Sequence, residues 1–246
     1  MEKNVREVEK AYDKIARWYH EKRTKLEDVN YFIEVPTSLG LLGNVKGKKI
    51  LDAGCGSGIY AKILAKKGAK VYGIELSKEM LACAKDYCKG YDIEFKQGSI
   101  ENLTYPDNYF DSVLCSLAIH YLKDTKKAFS EFSRVLKKGG FLVFSTANPT
   151  FEAKYEVKRE KGKNILSIAN YFNPKKYYWR MYQSQTDIPS YPLPFEKLFD
   201  NLYKSNLMVE KFKEPYMKYS DKKIPKHLKK WAEIPTFMVL KCKKIK

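Results

Sequence analysis

The run Ile50-Leu51-Asp52-Ala53-Gly54-Cys55-Gly56-Ser57-Gly58 constrains this chain more than any other stretch. A short apolar segment, Lys49–Ala53, leads into three alternating glycines, and residues 59–67 follow with helical periodicity before stopping at Gly68. Such a junction reads as a buried strand turning sharply into a helix. Glycine supplies the backbone angles that the turn needs and lets a ligand approach the main chain closely. The helix behind it begins with unpaired N–H groups. The rhythm then repeats. Residues 71–75 read as a strand, Ser77 caps a helix over 78–88, and 93–96 and 111–116 read as strands. Residues 124–137 form a helix stopped by Gly139-Gly140, and 141–146 a fifth strand. Strands alternating with helices of about 10–15 residues predict an α/β fold with helices on both faces of a parallel sheet.

The flanks break that alternation. Val5, Val8, Tyr12, Ile15, Ala16 and Tyr19 recur at helical spacing, which predicts an amphipathic helix over 5–20. A second helix is expected over 36–42, with Pro36 in its first turn and Gly43 just past its end. Residues 1–44 are thus expected to form a helical segment ahead of the alternating core over 45–148. Beyond Asn148, residues 150–165 are charged and read as helix, and 165–172 as strand. A stretch dense in Tyr171, Phe172, Tyr177, Tyr178, Trp179, Tyr182 and Tyr191 follows. The expectation is a lid insertion over 149–194, after the fifth strand. Residues 195–246 then hold a helix over 195–205 and closing strands over 207–214 and 236–243. The whole chain, 1–246, is expected to be one domain built on a doubly wound, mostly parallel seven-stranded, Rossmann-like sheet.

Composition narrows the setting. With 246 residues and 44% hydrophobic content the chain can bury a full core. No run approaches the roughly 20 apolar residues that cross a bilayer, and the charged first residues are not expected to act as a secretory signal. The five cysteines, Cys55, Cys83, Cys88, Cys115 and Cys242, form no C-x-x-C and no His-paired spacing. A reduced cytoplasm, no metal site and no membrane insertion are therefore expected. The net charge of +18 is uneven: residues 151–246 carry 22 Lys/Arg against 10 Asp/Glu, and 211–230 hold eight lysines. That run admits a nucleic-acid footprint. A solvated lysine-rich face is the favoured reading, because a charge run is usually one. A monomer or a homodimer is expected.

The loop's chemistry selects a cofactor. Glu75 ends the next strand, 21 residues after Gly54, where the carboxyl edge of a doubly wound sheet binds ligands. An acid there suits the two hydroxyls of a ribose. The dinucleotide fingerprint G-x-G-x-x-G is not met, since Ile59 stands where its third glycine belongs. Asp52 would repel a pyrophosphate but suits an ammonium group, and S-adenosylmethionine offers an ammonium and a sulfonium without phosphate.

Residues 50–86, with this loop, the run GIELSKEML and the alanine-rich helix after it, resemble the class I S-adenosylmethionine methyltransferases of the ubiquinone/menaquinone-methyltransferase-like group. The resemblance covers residues 45–148 most strongly. It implies that Gly54, Cys55, Gly56 and Gly58 lie under the methionine part of S-adenosylmethionine, with Asp52 near its amino group. It further implies that Glu75 holds the ribose and that Leu76 and Met80 line the adenine. Gly98-Ser99-Ile100 stands where the family has Gly-Asp-Ala, with Ser99 in place of the adenine-binding acid. Residues 110–121 resemble the fourth-strand motif, whose end, from Ser116 and Leu117 to His120 and Tyr121, faces cofactor and substrate. Tyr12 lies in a segment resembling the family's N-terminal cap, where a Tyr reaches the methionine carboxylate.

The acceptor is less defined. His120, just past the fourth strand, is either a general base or a structural histidine. His20 and His227 lie in polar surroundings and read as surface residues. Tyr178 and Trp179 either wall a pocket for a flat or apolar acceptor or form the lid's own core, and Arg180 could pair an acidic group. A small-molecule methyl acceptor is the expected partner. An RNA base, met by the lysine-rich C-terminal third, is the alternative.

Overall fold

Five parallel strands give the sheet its direction. They are β1 (Lys49–Ala53), β2 (Lys70–Glu75), β3 (Ile93–Gln97), β4 (Phe110–Ser116) and β5 (Leu136–Ala147). This computed structural model describes residues 3–25, 29–161, 163–181, 184–216 and 234–246. The basic segment 217–230, with His227, and Tyr182 lie outside the described residues. Two further strands, β10 (Leu207–Lys213) and β11 (Phe237–Lys244), add to β5 with β11 antiparallel to it. The order is β10-β11-β5-β4-β1-β2-β3, so the winding reverses between β1 and β4. The predicted seven-stranded, mostly parallel sheet is the observed one.

Strand alternation builds two core layers. Leu142 and Phe144 of β5 point into the layer under α5 (Thr125–Val135) and α7 (Phe195–Lys204), while Val143 between them enters the opposite one. The first layer holds Phe110, Phe129, Phe132 and Phe144, all fully buried. Each such side chain contributes roughly 1.5–3 kcal/mol over exposure. The second layer packs α2 (Val29–Leu42) and α3 (Ile59–Lys66) on the other face. Helix α4 (Lys78–Tyr87), capped by Ser77 as expected, crosses beside α1 (Lys3–Thr24).

Four local expectations are corrected. Residues 150–165 are not helical: α6 (Pro149–Glu152) is one turn, and β6 (Lys154–Glu160) and β7 (Lys163–Ile168) form a hairpin. Their charges sit on a ribbon pairing only with itself, so no core face imposes the helical period. The strand read over 165–172 ends at Ile168 for the same reason. Gly139-Gly140 does not stop the preceding helix but makes a bulge inside β5. Phe110 pairs with Leu136 and Ser112 with Phe141, so two steps on β4 face five on β5. Pro36 is interior to α2 rather than in its first turn. The apolar residues Ile33 and Val35 before it are both buried, and their packing outweighs the lost backbone bond.

A second hairpin, β8 (Tyr177–Met181) and β9 (Thr186–Ser190), lies against α1. Among the described residues, no helix is long and apolar enough to cross a membrane.

Candidate functional site

The winding reversal opens the carboxyl edge of β1 and β4, and the glycine loop sits there. Its shape follows from β2, because Gly54 and Cys55 both donate their N–H to the Ile74 carbonyl at 2.8 and 3.0 Å. Gly54 has φ +75°, and a Cβ on it would meet the Ala118 Cβ at 2.9 Å, so the loop passes against the end of β4. Gly58 begins α3 at φ +82°, where a Cβ would strike Cys88 and Ala84 of the neighbouring helix. Both positions demand glycine for conformation and for space.

Glu75 ties the loop to the next helix. One oxygen accepts the Gly56 N–H at 2.8 Å and the other the Ser77 N–H at 3.0 Å. The carboxylate also lines the cleft, where it can accept from a vicinal diol. Burial raises its pKa, against the pull of these backbone N–H bonds. Ser77 in turn donates to Asp13 of α1 at 2.6 Å, which also takes the Glu79 N–H at 3.2 Å. The N-terminal cap is thereby anchored to the start of α4.

A cleft of about 830 Å³, counted out to its mouth, occupies this edge. Of the residues expected from sequence, Tyr12, Gly54, Gly56, Glu75, Leu76, Met80, Gly98, Ser99, Ile100, Ser116, Leu117 and Tyr121 line it. The wall facing the sheet is α1, which contributes Val5, Val8, Tyr12, Tyr19 and Arg23. Tyr12 donates its hydroxyl hydrogen to the Tyr121 hydroxyl at 2.6 Å, and the rings meet edge to face. That bond joins the two walls.

The remaining expected residues lie elsewhere. Asp52 sits beneath the loop, 1% exposed, where α3 supplies the Ala61 N–H and its Oδ2 has no hydrogen-bond partner among the described residues. Burial first, then the nearby Glu75 charge, push its pKa up to about 7. Cys55 turns toward Gly73 of β2, and burial raises its thiol. His120 is buried on the 3-10 turn Ile119–Tyr121, with Nδ1 3.4 Å from the Thr146 hydroxyl. Its carbonyl accepts the Tyr191 N–H at 2.8 Å. Burial drives its pKa down to about 3, so the ring is neutral and a weak base at physiological pH.

In the insertion, Tyr178 donates to Glu7 of α1 at 2.6 Å, and Lys176 pairs with the same carboxylate at 2.6 Å. Trp179 packs with Ile188 on Ala11 and Ile15 of α1. Arg180 is exposed and forms two bonds to Asp187, at 2.7 and 2.9 Å, across its own hairpin. None of the three lines the cleft. His20 is half-buried, with its ring edge-on to Tyr87.

Sequence reasoning missed Arg23, which continues the stripe of Val5, Val8, Tyr12 and Tyr19 by one helical step. It also missed Glu34, which is fully buried between Ile33 and Val35. An acid bracketed by apolar residues was its signal.

The comparisons with known proteins agree with this architecture. Residues 51–144 match the family described as "Methyltransferase domain". The chain is 30% identical over 220 residues to an uncharacterized protein of Haemophilus influenzae, covering 84% of this chain and 86% of that one. It is 34% identical over 160 residues to the ubiquinone biosynthesis O-methyltransferase of Methylococcus capsulatus, covering 61% of this chain and 65% of that enzyme. Against two further enzymes of that name it spans 44% and 47% of their length. An S-adenosylmethionine-dependent methyltransferase structure from Mesorhizobium loti superposes with a TM-score of 0.76 at 24% identity. That match takes in 85% of this chain and 97% of the other, and it speaks for the fold.

Proposed function

The chain belongs to the class I S-adenosylmethionine-dependent methyltransferases, and we propose that it methylates a small organic acceptor held between α1 and the end of β4. One observation carries this reading: the Tyr12–Tyr121 bond ties α1 to the end of β4 across a largely apolar cleft. The relatives named ubiquinone biosynthesis O-methyltransferase, enzymes of a small-molecule biosynthesis by name, support it. Five unpaired cysteines, four of them buried, suit work in a reducing cytoplasm.

The donor set fits the cofactor, which supplies an electrophilic methyl on a positively charged sulfur. Glu75 would take the ribose hydroxyls, and Leu76, Met80 and Ile100 would pack on the adenine. Ser99 already accepts the Glu101 N–H at 3.1 Å and keeps its hydrogen to donate to a ring nitrogen. Arg23 offers the cleft a cation suited to the methionine carboxylate. The unpartnered Asp52 Oδ2 favours the ammonium through its field from beneath the loop. Gly54 and Gly56 keep side chains out of the path, while Tyr12, Tyr19 and Tyr121 exclude water. Alignment of this kind is worth ~7–11 kcal/mol in displacement reactions. His120 is buried and does not line the cleft, so it would support the 3-10 turn that carries Tyr121 rather than act as a base.

The test is to incubate the protein with methyl-labelled S-adenosylmethionine and, separately, a small-molecule extract and total tRNA. Label is expected in the small-molecule fraction. Label in tRNA alone would overturn the proposal.

A further inference from the structure

Glu34 is the most completely enclosed acid beside the cleft, and no step assigned above uses it. It is 0% exposed on α2, and four hydroxyls donate to it. Ser145 donates to Oε1 at 2.6 Å, Ser38 at 2.8 Å and Ser116 at 3.1 Å, while Tyr60 donates to Oε2 at 2.7 Å. Among the described residues, no lysine, arginine or histidine pairs with Glu34, Asp52 or Glu75. Hydroxyls orient and stabilise a carboxylate but leave its negative charge in place.

The placement of that charge matters. Ser116 lines the cleft, so Glu34 lies one side chain behind the wall at the end of β4. Asp52 is also buried there, with its unpartnered Oδ2, and its ionisation is opposed by the charges of both Glu75 and Glu34. Two buried carboxylates and the cleft-lining Glu75 therefore stand at one pocket edge. A cation in the pocket relieves their mutual repulsion, and a neutral ligand does not. In a poorly hydrated site such a term is far stronger than in water.

Two ligands of this pocket differ in that one respect. The sulfur is a cation before transfer; afterwards the S–CH3 electron pair stays on sulfur and leaves a neutral thioether. Adenine, ribose, ammonium and carboxylate are common to both. We propose that Glu34 is a specificity-determining residue that makes the pocket favour S-adenosylmethionine over its product S-adenosylhomocysteine. It does so through the field it holds behind Ser116, and the product is released more readily as a consequence. This rests on the cofactor placement proposed above.

Titration calorimetry on the full chain tests it, with S-adenosylmethionine, S-adenosylhomocysteine and sinefungin, whose protonated amine replaces the methyl sulfonium. Glu34→Gln keeps the side-chain shape and most of the hydroxyl bonds while removing the charge. It is expected to weaken S-adenosylmethionine and sinefungin about tenfold relative to S-adenosylhomocysteine, ~1.4 kcal/mol. Ser145→Ala breaks one of the same bonds without changing charge, and should lower the melting temperature while leaving the affinity ratio unchanged. If Glu34→Gln does not fold, Asp52→Asn, measured at pH 8 where Asp52 is ionised, removes another charge from the same cluster and should move the ratio in the same direction. An unchanged ratio in the charge-removing variant, or an equal shift in Ser145→Ala, overturns this inference alone. A wild-type protein that binds none of the three ligands overturns the cofactor placement and this inference with it.

Discussion

The two walls of the cleft are built by different physics. The sheet wall, from the Gly54 loop to Ser116, is held by backbone: loop N–H groups donate to Ile74 and Glu75, and parallel strands lock the register. The α1 wall is held by side chains that reach from several elements. Asp13 binds the start of α4, Tyr12 binds Tyr121, and Glu7 binds Tyr178 and Lys176 of the insertion. Backbone pairing belongs to the fold and leaves little room to adapt. Side-chain clamps can release one at a time, and a wall that must admit and discharge ligands gains from that.

The sharpest way to break the comparison lies on the sheet wall. Glu75→Ala is expected to raise the dissociation constants of both S-adenosylmethionine and S-adenosylhomocysteine by about 100-fold, since both carry the ribose. Calorimetry reads it. A loss confined to one of the two would mean that Glu75 does not hold the ribose.

Asp52 gives an intermediate effect with a pH signature. Its pKa in the fold, about 7, lies above the ordinary aspartate value of about 3.9. Folding thus favours the protonated form, so this contribution is full below pH ~4 and is lost as pH rises through 7. Asp52→Asn, neutral throughout, should melt several degrees above wild type at pH 8 without ligand. The gap should narrow as pH falls below 7 and close below about pH 4. A gap independent of pH would show that Asp52 is not the titrating group.

The smallest effect belongs to the α1 wall. Tyr178→Phe removes one clamp on Glu7 and leaves Asp13 and Tyr12 in place. Amide exchange over residues 5–12 should speed up severalfold, with cofactor affinity within about twofold of wild type. Unchanged exchange would place the hold on α1 in the Ala11–Ile15–Ile188 packing instead.

The sheet wall is also the half that reads most directly from sequence. Gly54, Gly56, Gly58 and Glu75 stand at fixed spacings because a strand–turn–helix unit is local, and each residue's task is set within about 20 positions. The alternation of strands and helices likewise announced the sheet. The Gly139-Gly140 bulge was misread because a glycine pair marks a helix stop and a bulge alike. Only the pairing of β4 with β5 separates them. The hairpin over 154–168 was missed because it faces no core, so no periodicity marks it.

Sequence by itself determined the seven-stranded sheet, the glycine loop with the acid that ends β2, and thereby the cofactor and the reaction type. Tertiary structure alone decided which distant side chains meet. It set Glu34 behind Ser116, joined Tyr12 to Tyr121 across 109 positions, brought Arg23 to the cleft and turned Tyr178, Trp179 and Arg180 away from it. The reason is physical. Local backbone geometry follows from residues near in sequence, whereas the neighbours of a buried side chain depend on how separate elements pack, and no spacing along the chain encodes that.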